Sequence, residues 1–200
     1  MLPAEEVQQV AEGLWFWQRW QPSVKTDCSS CALQVGGRLI FIDPIPLAPD
    51  ALAELTAQAE PAAIIATNGN HDRALAALRK KLGLPIFAHA AAVPALGLPV
   101  DRTLEDGETL FDSLQVITLP GAGAGEIALH DPRGRLHLGD ALTHLDPTGL
   151  AILPDKYCAA PRELHAALRK LLPFEFEILT FAHGLPLTTR ARSRLASLLA

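Results

Sequence analysis

The chain has 200 residues, 49% of them hydrophobic and 20% charged, with a formal net charge of −5. That length suits one domain, residues 1–200, able to bury roughly 70% of its unfolded surface, and the acidic balance without any dense basic run argues against a general nucleic-acid or anionic-membrane binder. No apolar run approaches the roughly 18 residues of a membrane span, and the acidic start Met1-Leu2-Pro3-Ala4-Glu5-Glu6 carries no visible signal peptide, so the cytoplasm is the expected compartment.

Taken in order, Leu14 to Trp20 is aromatic-rich and reads as an early edge strand. Two strand-like runs, Cys31 to Val35 and Leu39 to Asp43, flank Gly36-Gly37, a two-residue hairpin turn. Cys28 and Cys31 form a lone C-x-x-C with Cys158 far away. A zinc ribbon needs a second pair, and a redox C-x-x-C normally opens a helix, so free thiols or a local disulfide are the simpler readings. Pro49 opens an amphipathic helix that Glu60-Pro61 ends, followed by the apolar strand Ala62 to Ala66. A polar burst follows, Thr67-Asn68-Gly69-Asn70-His71-Asp72-Arg73, and then a helix from Ala74 to Leu82 with Gly83 as its C-cap. Pro85 to Ala88 is a short strand. The alternation of strand and helix predicts an α/β layered fold, with the burst at a strand tip, where ligands and metals collect.

The second half is richer in strands. Leu114 to Leu119 runs into Pro120-Gly121, and Ile127 to His130 and Leu136 to Leu138 flank the tight turn Asp131-Pro132-Arg133-Gly134. A helix over about Pro161 to Leu172, a buried strand from Phe176 to Phe181 and an amphipathic helix from Thr188 to Ala200 complete the chain. His89, His130 and His137 sit at strand ends and read as partly exposed, and His165 as solvated. His144 is within reach of the pocket by a short loop, and Lys156, Tyr157 and Cys158 are candidates for a substrate rim.

Five landmarks in this order resemble the metallo-β-lactamase superfamily: Ile42-Asp43-Pro44, the Thr67 loop, Pro120-Gly121-Ala122, Gly139-Asp140 and Ala182-His183-Gly184. The resemblance implies a four-layer αββα sandwich and a dinuclear metal loop of the form T-H-x-H-x-D-H. Thr67 and Asp72 match that loop, but Asn68, Asn70 and Arg73 stand where it has histidines, and Ala122 replaces another. By this resemblance Asp43 supports the loop from behind and Asp140 bridges both metals. An amide oxygen is a poor zinc ligand and alanine is none, so the first metal site is expected to be lost, leaving an amide network. For the second site Asp72, Asp140 and His183 remain as metal ligands. The oxygen-rich set suits one divalent ion, zinc, manganese or iron, if any is held.

Arg73 is expected to take the lost metal's charge role by bridging Asp72 and Asp140 through charge-assisted hydrogen bonds. His71 lies one position from a ligand. It is expected to face outward or cap the following helix, the alternative being an inward turn as a nonstandard ligand or general base. Two functions follow. One is a noncatalytic descendant with no cofactor, its pocket of Asp43, Asn68, Asn70, His71, Asp72, Arg73, Asp140 and His183 holding a small anionic or polar molecule. The other is a mononuclear metal hydrolase of a small ester, thioester, amide or phosphoester.

Overall fold

A computed structural model describes residues 1–200. Seven strands form the first sheet in sequence order: β1 (Gln8–Ala11), β2 (Leu14–Gln21), β3 (Thr26–Val35), β4 (Arg38–Ile42), β5 (Glu60–Ala66), β6 (Ile86–His89) and β7 (Arg102–Leu104). Pairing is antiparallel from β1 to β4 and parallel from β4 to β7. The second sheet contains β8 (Thr109–Leu110), β9 (Leu114–Thr118), β10 (Ile127–Asp131), β11 (Arg135–Leu138) and β14 (Ile178–Phe181), in the order β14-β11-β10-β9-β8. A separate hairpin joins β12 (Leu142–Leu145) to β13 (Gly149–Ile152). The helices are α1 (Pro49–Thr56), α2 (Leu75–Leu82), α3 (Val93–Leu96), α4 (Pro161–Arg169) and α5 (Ala191–Leu198). None is long and apolar enough to cross a membrane.

The layering follows from the period-two alternation of strand side chains. In β4, Leu39 and Phe41 pack outward with α1 and α2 (Leu52, Leu55, Leu75), whereas Ile40 and Ile42 pack inward against Val116, Ile127 and Leu129 of the second sheet. β5 repeats the pattern, Ile64 outward and Ile65 inward. On the far side of the second sheet, Leu138 and Phe181 meet Leu164 and Leu168 of α4 and Leu195 of α5. Three apolar interiors between four layers make this the αββα sandwich that the family resemblance implied, and an instance of the α/β layered fold that the strand and helix order predicted. Strands β4 and β5 are apolar on both faces because both are covered, as expected of parallel strands inside a layered fold.

Several local expectations shift. The edge strand is β1, not Leu14–Gln21, which pairs on both sides. The short strand β1, with its exposed residues, lacks the apolar run that marked β2. The β12–β13 hairpin was not anticipated; its side chains are half-buried and show no clean alternation. Gly36 and Gly37 do turn the β3–β4 hairpin, both with positive φ (56° and 78°). Cys28 and Cys31 are free. Three residues apart on one strand they face opposite sides of the sheet, Cys28 in the outer interior and Cys31 between the sheets, which rules out a disulfide between them.

The ends of β4, β5, β11 and β14 position the site. β4 and β5 run parallel, as do β11 and β14, so Asp43, Thr67, Gly139 and Ala182 emerge at C-terminal strand tips along one edge. Ser29 fastens that edge: its amide donates to Ala182 O (2.8 Å) and its hydroxyl to Gly184 O (2.8 Å). Gly184 has a φ of +97°, and a Cβ there would lie 2.0 Å from His144 O. Gly184→Ala should therefore destabilise the protein by about 1–3 kcal/mol through overpacking. Gly97→Ala, also at positive φ but facing open space, lacks that clash and should cost less. Urea denaturation of the two variants checks the difference.

Candidate functional site

The loop after β5 is shaped by its own polar residues. Asn68 Oδ1 accepts the Asn70 amide (2.8 Å), an Asx turn, and Gly69 N donates to Ala124 O (2.9 Å). Arg73 then adopts a positive φ of 24° and Asp43 one of 47°. Both lie in a region that non-glycine residues seldom occupy, and such strain concentrates at functional sites. The loop turns His71 and Arg73 toward the strand tips and leaves Asp72 exposed.

His71 does not face solvent or cap α2; it is buried beneath the cavity floor. Its Nδ1 meets Asp43 Oδ2 (3.0 Å) and Thr67 Oγ1 (3.1 Å), and its Nε2 meets Asp140 Oδ1 (3.1 Å). His183 approaches the same carboxylate oxygen with Nε2 (3.3 Å) while its Nδ1 donates to Asp27 O (2.8 Å). The structure thus brings His71, Asp140 and His183 together, their ligand atoms within 4.8 Å of one another. Asp72, expected as the third ligand, is not in that group; it lines the cavity from its exposed side.

Arg73 also departs from expectation. It bridges no pair of carboxylates. Nη1 donates to Ser29 O (2.8 Å) and Asp43 O (3.1 Å), and Nη2 donates to Ala182 O (3.2 Å) and lies 3.3 Å from His183 Nε2. The carboxylates pair with histidines instead. The reason is reach. The positive φ aims the side chain back under the tips of β3, β4 and β14, where three carbonyls receive it. Arg73 remains a half-buried cation without an ionic partner.

At the residues expected to have lost the first metal, Asn68 Nδ2 donates to Glu126 Oε2 (2.7 Å), and Asn70 Nδ2 reaches Asp140 Oδ2 (3.4 Å). Ala122 is buried and carries no donor. The residues here do not fit a metal ion, since the Asn68 amide is committed on both its atoms. Glu126 was absent from the sequence reading. It also accepts the Ala141 amide through Oε1 (3.0 Å). Burial, with Asp140 nearby, raises its pKa to about 8. The only sequence signal for it was an acid placed directly before the apolar run of β10.

A second group escaped the sequence reading. His137, expected at a partly exposed strand end, lies buried between the sheets, with Nδ1 facing Thr180 Oγ1 (2.9 Å) and Cys31 Sγ (3.2 Å) and Nε2 facing Asp43 Oδ2 (3.4 Å). Its register was the available signal, because in β11 it alternates with Leu136 and Leu138, which face the helices. Burial works against its charged form, but Cys31 and Asp43 prevail and push its pKa up to about 10. His183 is likewise pushed up to about 9: burial opposes, and hydrogen bonds from Asp140 and Cys28 outweigh it. His71 moves upward too, with burial and Arg73 opposing and Asp43 and Asp140 prevailing. Burial opposes ionisation of Asp43, but His71 and His137 hold its carboxyl far below the usual range. His144 does not reach this group; its Nδ1 meets Leu185 O (2.8 Å).

A cavity of about 750 Å³ opens here, its lining including Asn70, Arg73, Asp140 and His183 together with Val24, Ile152 and Tyr157.

A family model of the metallo-beta-lactamase superfamily matches residues 10–199, and the chain belongs to that superfamily. Solved structures agree on the fold. DIM-1 metallo-beta-lactamase superposes with a TM-score of 0.78 at 15% identity, covering 100% of this chain and 98% of its own. A metallo-beta-lactamase from Hirschia baltica gives 0.73 at 16%, covering 99% and 98%. TTHA1623, solved in a di-iron-bound form, gives 0.66 at 28%, covering 84% and 92%. No curated protein sequence matches the chain significantly.

The buried charges set a pH dependence. The folded pKa values of His137 and His183 lie above the ordinary histidine value. The stability they contribute is complete below about pH 6.5 and is lost as pH rises through their raised values. Asp43 has the opposite sign: its contribution is present above about pH 3.9 and is lost as pH falls toward its depressed folded value. Urea midpoints should therefore decline from about pH 6.5 toward pH 10, and His137→Gln should flatten that limb. Asp43→Asn should cost about 3–5 kcal/mol, because the buried His137 imidazolium loses its counter-charge and His71 its partner.

Proposed function

We propose that this is a noncatalytic member of its superfamily that binds a small anionic ligand at the Arg73 end of the cavity. The observation carrying the reading is Arg73 itself. A half-buried guanidinium held by three neutral carbonyls, with His183 Nε2 3.3 Å away, is a charge awaiting an anion, and it lines an open cavity. The three carbonyls fix its direction, so little side-chain entropy remains to be lost on binding. The closed Asn68–Glu126 contact supports the same reading, since it removes the first of the two ions a dinuclear hydrolase would use. The cytoplasm is the compartment we assign to it.

A specific observation favours a second reading. His71 and His183 each use Nδ1 on an outer partner, Asp43 and Asp27 O, and present Nε2 toward Asp140. Outer contacts of that kind orient metal-ligating imidazoles. The 3.1 and 3.3 Å donor separations suit a tetrahedral ion, whose ligands at about 2.0 Å lie about 3.3 Å apart. These three residues fit one divalent ion, which when bound would supply an activated water for a small ester, thioester, amide or phosphoester. Arg73, 3.3 Å from His183 Nε2, opposes it by charge repulsion.

The readings separate on metal content and anion binding. Protein equilibrated with zinc and then dialysed should retain far less than one ion per chain by elemental analysis. Acetate or phosphate should shift the Arg73 side-chain NMR signal. Arg73→Ala should weaken that binding about tenfold, roughly 1.4 kcal/mol. Stoichiometric metal, removable by chelator together with an esterase activity, would establish the second reading instead.

A further inference from the structure

Six large apolar side chains are between 46% and 63% exposed: Met1, Leu2, Trp20, Val24, Tyr157 and Leu185. Scattered singly they would mean nothing. They are not scattered. Met1, Val24 and Tyr157 line the 750 Å³ cavity over Arg73. Trp20 and Leu185 line a neighbouring cavity of about 260 Å³, and the two share Lys25, Thr26 and Leu145. Three of the six therefore line the cavity that holds Arg73 and two line the adjacent one, and a concentration of exposed apolar surface marks a binding surface.

The opening is chemically lopsided. Its lining includes Arg73, without an ionic partner, and Asp140, which is already paired with two imidazoles and Asn70. Lys25 stands where the cavities join. The far wall is the β12–β13 hairpin and the segment after it, where Leu145, Ala151, Ile152 and Leu153 are half-buried. A small polar anion would satisfy Arg73 and leave that wall wetted. An apolar molecule would cover the wall and leave the guanidinium unpaired. Only a ligand with both parts uses the whole surface.

Building on the anion-binding reading above, we infer that the cavity takes an amphipathic acid, a single anionic head on an extended apolar chain. The head lies at Arg73. The chain lies against Val24, Ile152 and Tyr157, which line the same cavity as Arg73. The volume is within the usual range for a small-molecule site, about 300–1,000 Å³.

The test is calorimetric titration of the full chain with acetate, hexanoate, decanoate and decanol below their aggregation limits. Affinity should rise about two- to fourfold per methylene from acetate to decanoate, following apolar burial. Decanol should bind at least about tenfold more weakly than decanoate, the share expected of a charge-assisted contact. Val24→Ser and Tyr157→Ser alter exposed side chains and spare the core; each should flatten the chain-length dependence without changing acetate binding. Arg73→Gln should erase the preference for decanoate over decanol. Acetate, hexanoate and decanoate binding equally would overturn this inference while leaving the anion reading intact. Decanol matching decanoate, or no carboxylate binding at all, would overturn both. If ultracentrifugation finds a dimer that Val24→Ser and Tyr157→Ser dissociate, the apolar surface belongs to a second copy and the inference fails.

Discussion

Asp43 is the constraint on which the rest of the site depends. A fully buried carboxylate costs several kcal/mol unless its oxygens are satisfied. Here the Thr67 amide and hydroxyl, His71 and His137 all converge on it. Each donor comes from a different place: the β5 tip, the loop beyond it and strand β11 of the opposite sheet. Satisfying one charge therefore fixes the register between two sheets and the inward turn of the loop. His71, held from behind by Asp43, has its other nitrogen free for Asp140. The order at the cavity floor is inherited from this buried anion.

Arg73 shows how the scaffold places a cation beside paired carboxylates without bridging them. The expected answer was a salt bridge to the facing carboxylates. Instead the protein neutralises Asp140 with two imidazoles and places the guanidinium against backbone carbonyls. Neutral acceptors hold the cation in position without cancelling its charge, so the electrostatic potential is directed into the cavity. A carboxylate partner would have stabilised the fold more and left less for a ligand. The positive φ at Arg73 is consistent with a residue whose placement outweighs local backbone comfort.

Glu126 and Asn68 show a different outcome a few residues away. A buried acid and an amide close the first metal position by hydrogen bonding to each other and to neighbouring amides. Nothing in that arrangement remains to be satisfied by a ligand. The two parts of the site thus differ: Asn68 and Glu126 are closed by polar contacts, whereas His71 and His183 present convergent nitrogens beneath an open cavity.

The layered fold was legible in the chain because apolar runs such as Leu39 to Ile42 and Ala62 to Ala66 need cover on both faces. The ordered tips at Asp43, Thr67, Gly139 and His183 likewise needed only local pattern. That Asn68, Asn70 and Ala122 offer no good metal ligand was legible too, since side-chain chemistry alone says so. Which way His71, Asp72 and Arg73 face was not. That depends on a backbone twist at Arg73 and on Asp43 lying behind the loop, and both are set by how the sheets pack. His137 and Glu126 became site residues for the same reason: burial and partnership are properties of two distant segments meeting, and local periodicity carries no record of what lies across the interface.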